Sequence, residues 1–183
     1  MGLITLVTGP SRSGKSEWAE SLAMAAQKPV IYIATAQRRA DDPEWQQRIE
    51  QHRDRRPRHW QTQEVPKQLA QAIQSATAED YLLIDSLGTW LANMLDQSPQ
   101  TWQNTQLNLI QSLQNTPAEV ILVAEETGWG VVPAYELGRR FRDRLGELSR
   151  NVGAIASSVY LVTAGYALNL TQLGILVPQR SRL

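Results

Sequence analysis

Five short, uninterrupted apolar runs punctuate the chain: Leu3 to Val7, Val30 to Ala34, Tyr81 to Ile84, Val120 to Ala124 and Val159 to Val162. A strand with one wet face alternates apolar and polar residues, whereas a strand covered on both faces stays apolar along its length. Helix-length amphipathic segments separate the runs, so the strands should be joined by right-handed crossovers and lie parallel. The pattern predicts a three-layer α/β fold on a mainly parallel sheet.

Between the strands, Lys15 to Ala26 carries Trp18, Leu22 and Ala26 at helical spacing, and Ala134 to Val152 carries Leu137, Phe141, Leu145 and Leu148 likewise. Both predicted helices should pack on the sheet. The stretch from Asp96 to Asn115 is rich in Gln and Asn, yet Leu107, Ile110 and Leu113 keep a helical period between Pro99 and Pro117, which predicts a surface helix. Ile175, Leu176 and Val177 are expected to form an edge strand or a subunit contact. No repeat or Gly/Ser linker divides the chain, so residues 1–183 are expected to form one domain.

Composition narrows the function. Eighteen basic residues balance eighteen acidic ones, and a nucleic-acid binder needs a basic excess to neutralise phosphates, so nucleic acid is not an expected partner. The absence of cysteine excludes a disulfide framework and a thiolate metal site, and agrees with a reducing compartment. Met1 and Gly2 lead directly into the first apolar run without the layout of a signal peptide. No apolar stretch approaches the roughly 20 residues that cross a bilayer. A soluble, cytoplasmic protein is expected.

Gly9-Pro10-Ser11-Arg12-Ser13-Gly14-Lys15-Ser16 follows the first predicted strand and opens the first predicted helix. Two glycines four residues apart, then Lys and a hydroxyl residue, make the phosphate-loop pattern: backbone N–H groups at a helix N-terminus converge on phosphate oxygens. Lys15 would neutralise the β and γ phosphates, and the Ser16 hydroxyl would join a magnesium shell. The loop therefore predicts a P-loop nucleoside-triphosphatase fold of the RecA-like kind.

Two acidic positions follow. Asp85 ends the run Tyr81-Leu82-Leu83-Ile84, where a P-loop protein places the carboxylate that orients magnesium; the competing role is that Asp85 and Ser86 cap the helix containing Trp90 and Leu91. With the loop upstream, magnesium is the preferred reading. Glu125-Glu126-Thr127-Gly128-Trp129-Gly130 brings carboxylates to the sheet's carboxyl edge, where ligands bind. Such a Glu could accept a substrate hydroxyl's proton or hold metal, and an acidic pair beside glycines is equally ordinary turn chemistry.

His52 and His59 are the two histidines. On a helix ended by Pro57, Trp45, Arg48, Ile49 and His52 share one face. A neutral imidazole is a competent nucleophile beside arginines that bind phosphate, although spacing alone favours a solvated basic helix. His59, beside Trp60, is expected to help start an extended segment.

Taken together, these residues resemble the bifunctional adenosylcobinamide kinase / adenosylcobinamide-phosphate guanylyltransferase family of cobalamin biosynthesis. Besides the loop, the resemblance rests on Ile33-Ala34-Thr35-Ala36, Arg48-Ile49 with His52-Arg53, Arg56-Pro57, Trp60-Gln61-Thr62 leading to Glu64 and Pro66, Glu126 to Pro133, and Leu137 to Asp143. It implies Mg2+, ATP and GTP as nucleotide substrates, adenosylcobinamide and its phosphate as acceptors, and a homo-oligomer. It also implies His52 as the residue that becomes guanylylated, Glu126 as catalytic, and Ala34, Thr35, Ala36, Arg48, Arg53 and Glu64 on the nucleotide side. Ser149-Arg150 and Tyr166 to Asn169 depart from the family pattern. The loop and Asp85 alone would equally suit another small-molecule P-loop kinase or a non-catalytic nucleotide switch.

Overall fold

The computed structural model describes residues 2–37 and 42–178. Among them, β1 (Ile4–Gly9), β2 (Val30–Ala34), β3 (Gln61–Glu64), β4 (Tyr81–Asp85), β5 (Glu119–Glu125), β6 (Ser158–Thr163) and β7 (Tyr166–Asn169) form a sheet in the order β3-β2-β4-β5-β1-β6-β7. Every pairing is parallel except the antiparallel β6–β7 edge. The five apolar runs are the five inner strands. Both edge strands are additions that the runs do not reveal, because β3 reads Gln-Thr-Gln-Glu and β7 is half exposed.

The helices are α1 (Lys15–Ala25), α2 (Pro43–Asp54), α3 (Leu69–Gln74), α4 (Leu87–Ala92), α5 (Pro99–Asn115), α6 (Glu136–Ile155) and α7 (Leu170–Leu173). Successive strand residues point to opposite faces, and the two faces own separate cores. Val7, Tyr32, Tyr81, Leu83, Ile121, Val123 and Val162 pack with Ala19 and Ala23 of α1. Ile4, Leu6, Ile33, Leu82, Ile84, Val120 and Leu122 pack under Leu69, Trp90, Leu109, Leu145 and Leu148 of α3 to α6. The architecture is three-layered. At the carboxyl edge, Asp85 and Glu125 continue the parity of Leu83 and Val123, which belongs to the α1 face.

Three expectations need correction. On α5 the buried stripe is Trp102, Gln106, Leu109 and Leu113, while Leu107 is 46% exposed; the stripe begins at Trp102, so its phase lies off the Leu107 line. Leu137 on α6 is likewise 57% exposed, and the core face of that helix begins with the partly buried Phe141 and runs through Leu145, Leu148 and Val152. Of the two roles expected for Ile175, Leu176 and Val177, the edge strand is absent; the three stand exposed. Trp18, Leu22 and Ala26 do pack, partly buried, on the α1-side core.

Local signals explain the helix starts nearest the site. Ser86 accepts from Thr89 N–H, and the Thr89 side chain accepts from Ser86 N–H, a reciprocal capping box at the head of α4. Ser98 caps α5 ahead of Pro99.

Candidate active site

The phosphate loop lies between β1 and α1 as the sequence predicts. Gly14 adopts φ +93°, a left-handed conformation that glycine enters without steric cost, and this turns the chain into α1. Lys15 and Ser16, the first residues of α1, are both buried. Lys15 Nζ donates to Pro10 O at 3.3 Å, so the ammonium folds back over its own loop. Ser11 also lines the cleft below. Arg12 takes φ +59° at the loop's turn. Ser13 Oγ is buried without a hydrogen-bond partner among the described residues, a vacancy that a phosphate oxygen would satisfy.

Asp85 ends β4 beside Ala34 of β2 and Val123 of β5. Its Oδ2 accepts from the Tyr32 hydroxyl at 2.8 Å, and the Arg56 guanidinium stacks 3.4 Å above the Tyr32 ring centroid. Burial, reinforced by the charge of Asp85, holds the Tyr32 phenol well above its ordinary pKa. The cap role belongs to Ser86 and not to Asp85. Thr35 is fully buried; its hydroxyl donates to Ser86 O at 2.7 Å and accepts from Ser86 N–H at 2.9 Å, fixing the turn after Asp85.

The acidic pair at the tip of β5 divides. Glu126 Oε1 accepts from the Thr8 hydroxyl at 2.7 Å, and its backbone N–H donates to Gly9 O, which ties it to the end of β1. Glu125 lines the cleft instead. Its Oε1 accepts from Ser86 Oγ, and its Oε2 accepts from Gly88 N–H at 3.0 Å. Burial raises the Glu125 pKa; the Ser86 hydrogen bond opposes that shift, Asp85 adds to it, and Lys15 opposes it. Strand parity puts Glu125 on the α1 face, but which neighbour either carboxylate reaches follows only from strand order.

A single cleft of about 1210 Å³ joins these groups. Lys15, Ser16, Asp85 and Glu125 line it, together with Ala34, Ala36 and Glu64 from the ends of β2 and β3, and Ile49, Arg53, Arg56 and Arg58 from α2 and the segment after it. The helix proposed to carry the histidine is present, ending at Asp54, three residues before Pro57. The side chains of Trp45, Arg48 and His52 lie outside the described residues, whereas His59 is exposed ahead of the buried Trp60. Arg55 pairs with Glu17 and with Glu20 of α1, the latter at 3.4 Å, so the end of α2 is fastened to the helix that begins with Lys15. Arg56 and Trp60 also line the cleft, and neither the phosphate-loop spacing nor the strand-end carboxylates point to them.

Among the described residues, no helix is long and apolar enough to cross a membrane. A solved structure of a prototypical ATPase from a bacterial type III secretion system superposes with a TM-score of 0.53, at 12% identity, over 96% of this chain and 59% of that one, so the two share a fold. The bifunctional adenosylcobalamin biosynthesis protein CobP of Pseudomonas aeruginosa is 43% identical over 90% of this chain and 95% of its own length. CobU of Salmonella typhimurium, a bifunctional protein of the same description, is 36% identical over 92% of this chain and 99% of its own. The family model for cobinamide kinase / cobinamide phosphate guanyltransferase matches residues 5–170, and the chain belongs to that family of enzymes.

Proposed function

We propose that the chain phosphorylates the hydroxyl of adenosylcobinamide with a nucleoside triphosphate and then transfers GMP from GTP to the adenosylcobinamide phosphate, yielding adenosylcobinamide-GDP in the cytoplasm. The observation that carries this reading is the cleft lined together by the buried Lys15 and Ser16, by Asp85 and by Ile49 and Arg53 of α2. In a member of this family, that arrangement puts a triphosphate cradle and a candidate nucleophile's helix around one space.

In the first step the acceptor hydroxyl attacks the γ phosphorus, the bridging bond to the β phosphate breaks, and a nucleoside diphosphate leaves. Backbone N–H groups from Ser11 to Gly14 and the Lys15 ammonium hold the phosphates where charge develops. Glu126, which the Thr8 hydroxyl holds at the end of β1 between the cleft-lining Glu125 and Thr127, is the proposed acceptor of the hydroxyl's proton. Ser16 and Asp85 line the same cleft and offer the hydroxyl and carboxylate oxygens that suit Mg2+. When bound with the triphosphate, that ion supplies further charge neutralisation at the phosphates.

In the second step a His52 ring nitrogen attacks the α phosphorus of GTP and pyrophosphate leaves. An oxygen of adenosylcobinamide phosphate then attacks the same phosphorus, breaking the P–N bond and restoring the imidazole. Ala34, Thr35, Ala36, Arg48, Arg53 and Glu64 are the proposed surroundings of the nucleotide. Incubation of the chain with adenosylcobinamide, magnesium and GTP, followed by separation of phosphorylated from guanylylated product, tests both steps. Accumulation of neither product from folded protein would overturn the reading.

A further inference from the structure

We propose that Glu125 is a positioning residue for the nucleotide site: it clamps the turn between β4 and α4 and thereby holds Asp85 in register with the phosphate loop. The inference rests on the reading of Asp85 as the magnesium-side carboxylate and goes beyond it in naming what fixes that carboxylate.

β4 lies between β2 and β5, and Asp85 is braced from both neighbours. From β2, the Tyr32 hydroxyl donates to Oδ2. From β5, both oxygens of Glu125 reach across to the residues that follow Asp85, accepting from Ser86 Oγ and from Gly88 N–H. Ser86 already caps α4, so its hydroxyl joins the helix start to the tip of β5. At position 88 the fit is close: a Cβ built on Gly88 would stand 2.0 Å from Glu125 Oε2. Glycine is therefore required at the second residue of α4 for the clamp to close, in a helix where alanine is the intrinsically better former.

This geometry supplies its own test, because alanine at position 88 would displace the end of a flexible side chain rather than backbone. Gly88→Ala should fold and lose the clamp. Glu125→Gln keeps the shape, with its amide oxygen on Gly88 N–H and its N–H₂ on the Ser86 hydroxyl, but exchanges charge-assisted bonds for weaker neutral ones. Both variants, with Asp85→Asn beside them, would be titrated with Mn2+ by electron paramagnetic resonance in the presence of a non-hydrolysable GTP analogue, which reads the metal site without turnover. We expect each to raise the Mn2+ dissociation constant several-fold while far-UV circular dichroism and urea midpoints show folded protein. In a Glu125→Ala background, Gly88→Ala should add nothing further, since the collision partner is gone.

The outcomes separate. If Asp85→Asn leaves Mn2+ affinity unchanged, the reading of Asp85 fails and the clamp has nothing to hold. If Asp85→Asn weakens the ion but Gly88→Ala and Glu125→Gln do not, Asp85 stands and the clamp is overturned. If Glu125→Gln weakens the ion while Gly88→Ala does not, Glu125 binds the ion itself and the positioning role is wrong. Equal penalties for Gly88→Ala with and without Glu125 would also overturn it.

Discussion

The Tyr32 hydroxyl donates to Asp85 Oδ2 at 2.8 Å, joining adjacent strands at the edge of the sheet where the cleft opens. The Tyr32 side chain is almost wholly buried, so its ring is fixed by packing and its oxygen has little latitude. Asp85 thus takes its orientation from the sheet, and the Arg56 guanidinium over the same ring brings the segment after α2 to the same point.

Tyr32→Phe keeps the ring and its stacking with Arg56 but removes the donor. A hydrogen bond to a charged group contributes about 1.5–3 kcal/mol, and water at this partly open edge should replace some of it, so a loss of about 1 kcal/mol is expected in urea unfolding. The magnesium needed for half-maximal activity should rise. An unchanged magnesium titration would show that Asp85 keeps its orientation without the phenol.

Lys15→Ala should depress both the kinase and the guanylyl-transfer rates on the order of a hundredfold or more, the scale for removing one preorganised group from developing charge. Its bond within the fold is a long contact to its own loop, so thermal unfolding should shift little. Wild-type rates for the folded variant would remove the loop from the mechanism.

Alkaline pH offers a test that does not depend on substrate. Burial, together with Glu119 and Tyr160, raises the Tyr81 pKa to about 12. In the unfolded chain the phenol ionises near its ordinary value of about 10. The folded state therefore holds its proton more tightly, and the associated stability is intact below pH 10 and drains away between 10 and about 12. Tyr32 is shifted in the same direction. Urea midpoints measured from pH 8 to pH 11 should fall, and Tyr81→Phe should flatten that fall. A variant curve parallel to wild type would contradict the assignment.

Much of this was legible in the sequence because burial on two faces leaves a compositional mark. The inner strands are apolar runs, and the phosphate loop announces itself by spacing. Edge strands leave no such mark: Gln61 to Glu64 pair with β2 through backbone, to which side-chain hydropathy is blind. The phase of α5 is hidden because Leu107 satisfies the helical period while standing exposed, whereas Gln106, a polar residue, is buried. At the cleft, pattern singles out Lys15, Ser16 and Asp85, which the structure brings together, but it does not assign the hydrogen bonds made within Asp85-Ser86 or Glu125-Glu126. Those depend on which neighbour each side chain reaches across the sheet, a relation carried by strand order and not by local sequence.

The covalent step yields the most discriminating prediction. If His52 attacks the α phosphorus of GTP, protein incubated with α-labelled GTP should retain label after denaturation, and the bond should break in acid yet survive alkali, as a phosphoramidate does. Attack needs an unprotonated ring nitrogen, so labelling should decline as pH is lowered. His52→Ala should abolish both the label and guanylyl transfer, while phosphorylation of adenosylcobinamide persists because Lys15, Ser16 and Asp85 remain. His59 is exposed just beyond the helix and serves as the control: His59→Ala should label normally. Label retained by His52→Ala but lost by His59→Ala would move the nucleophile, and label retained by both would end the histidine mechanism.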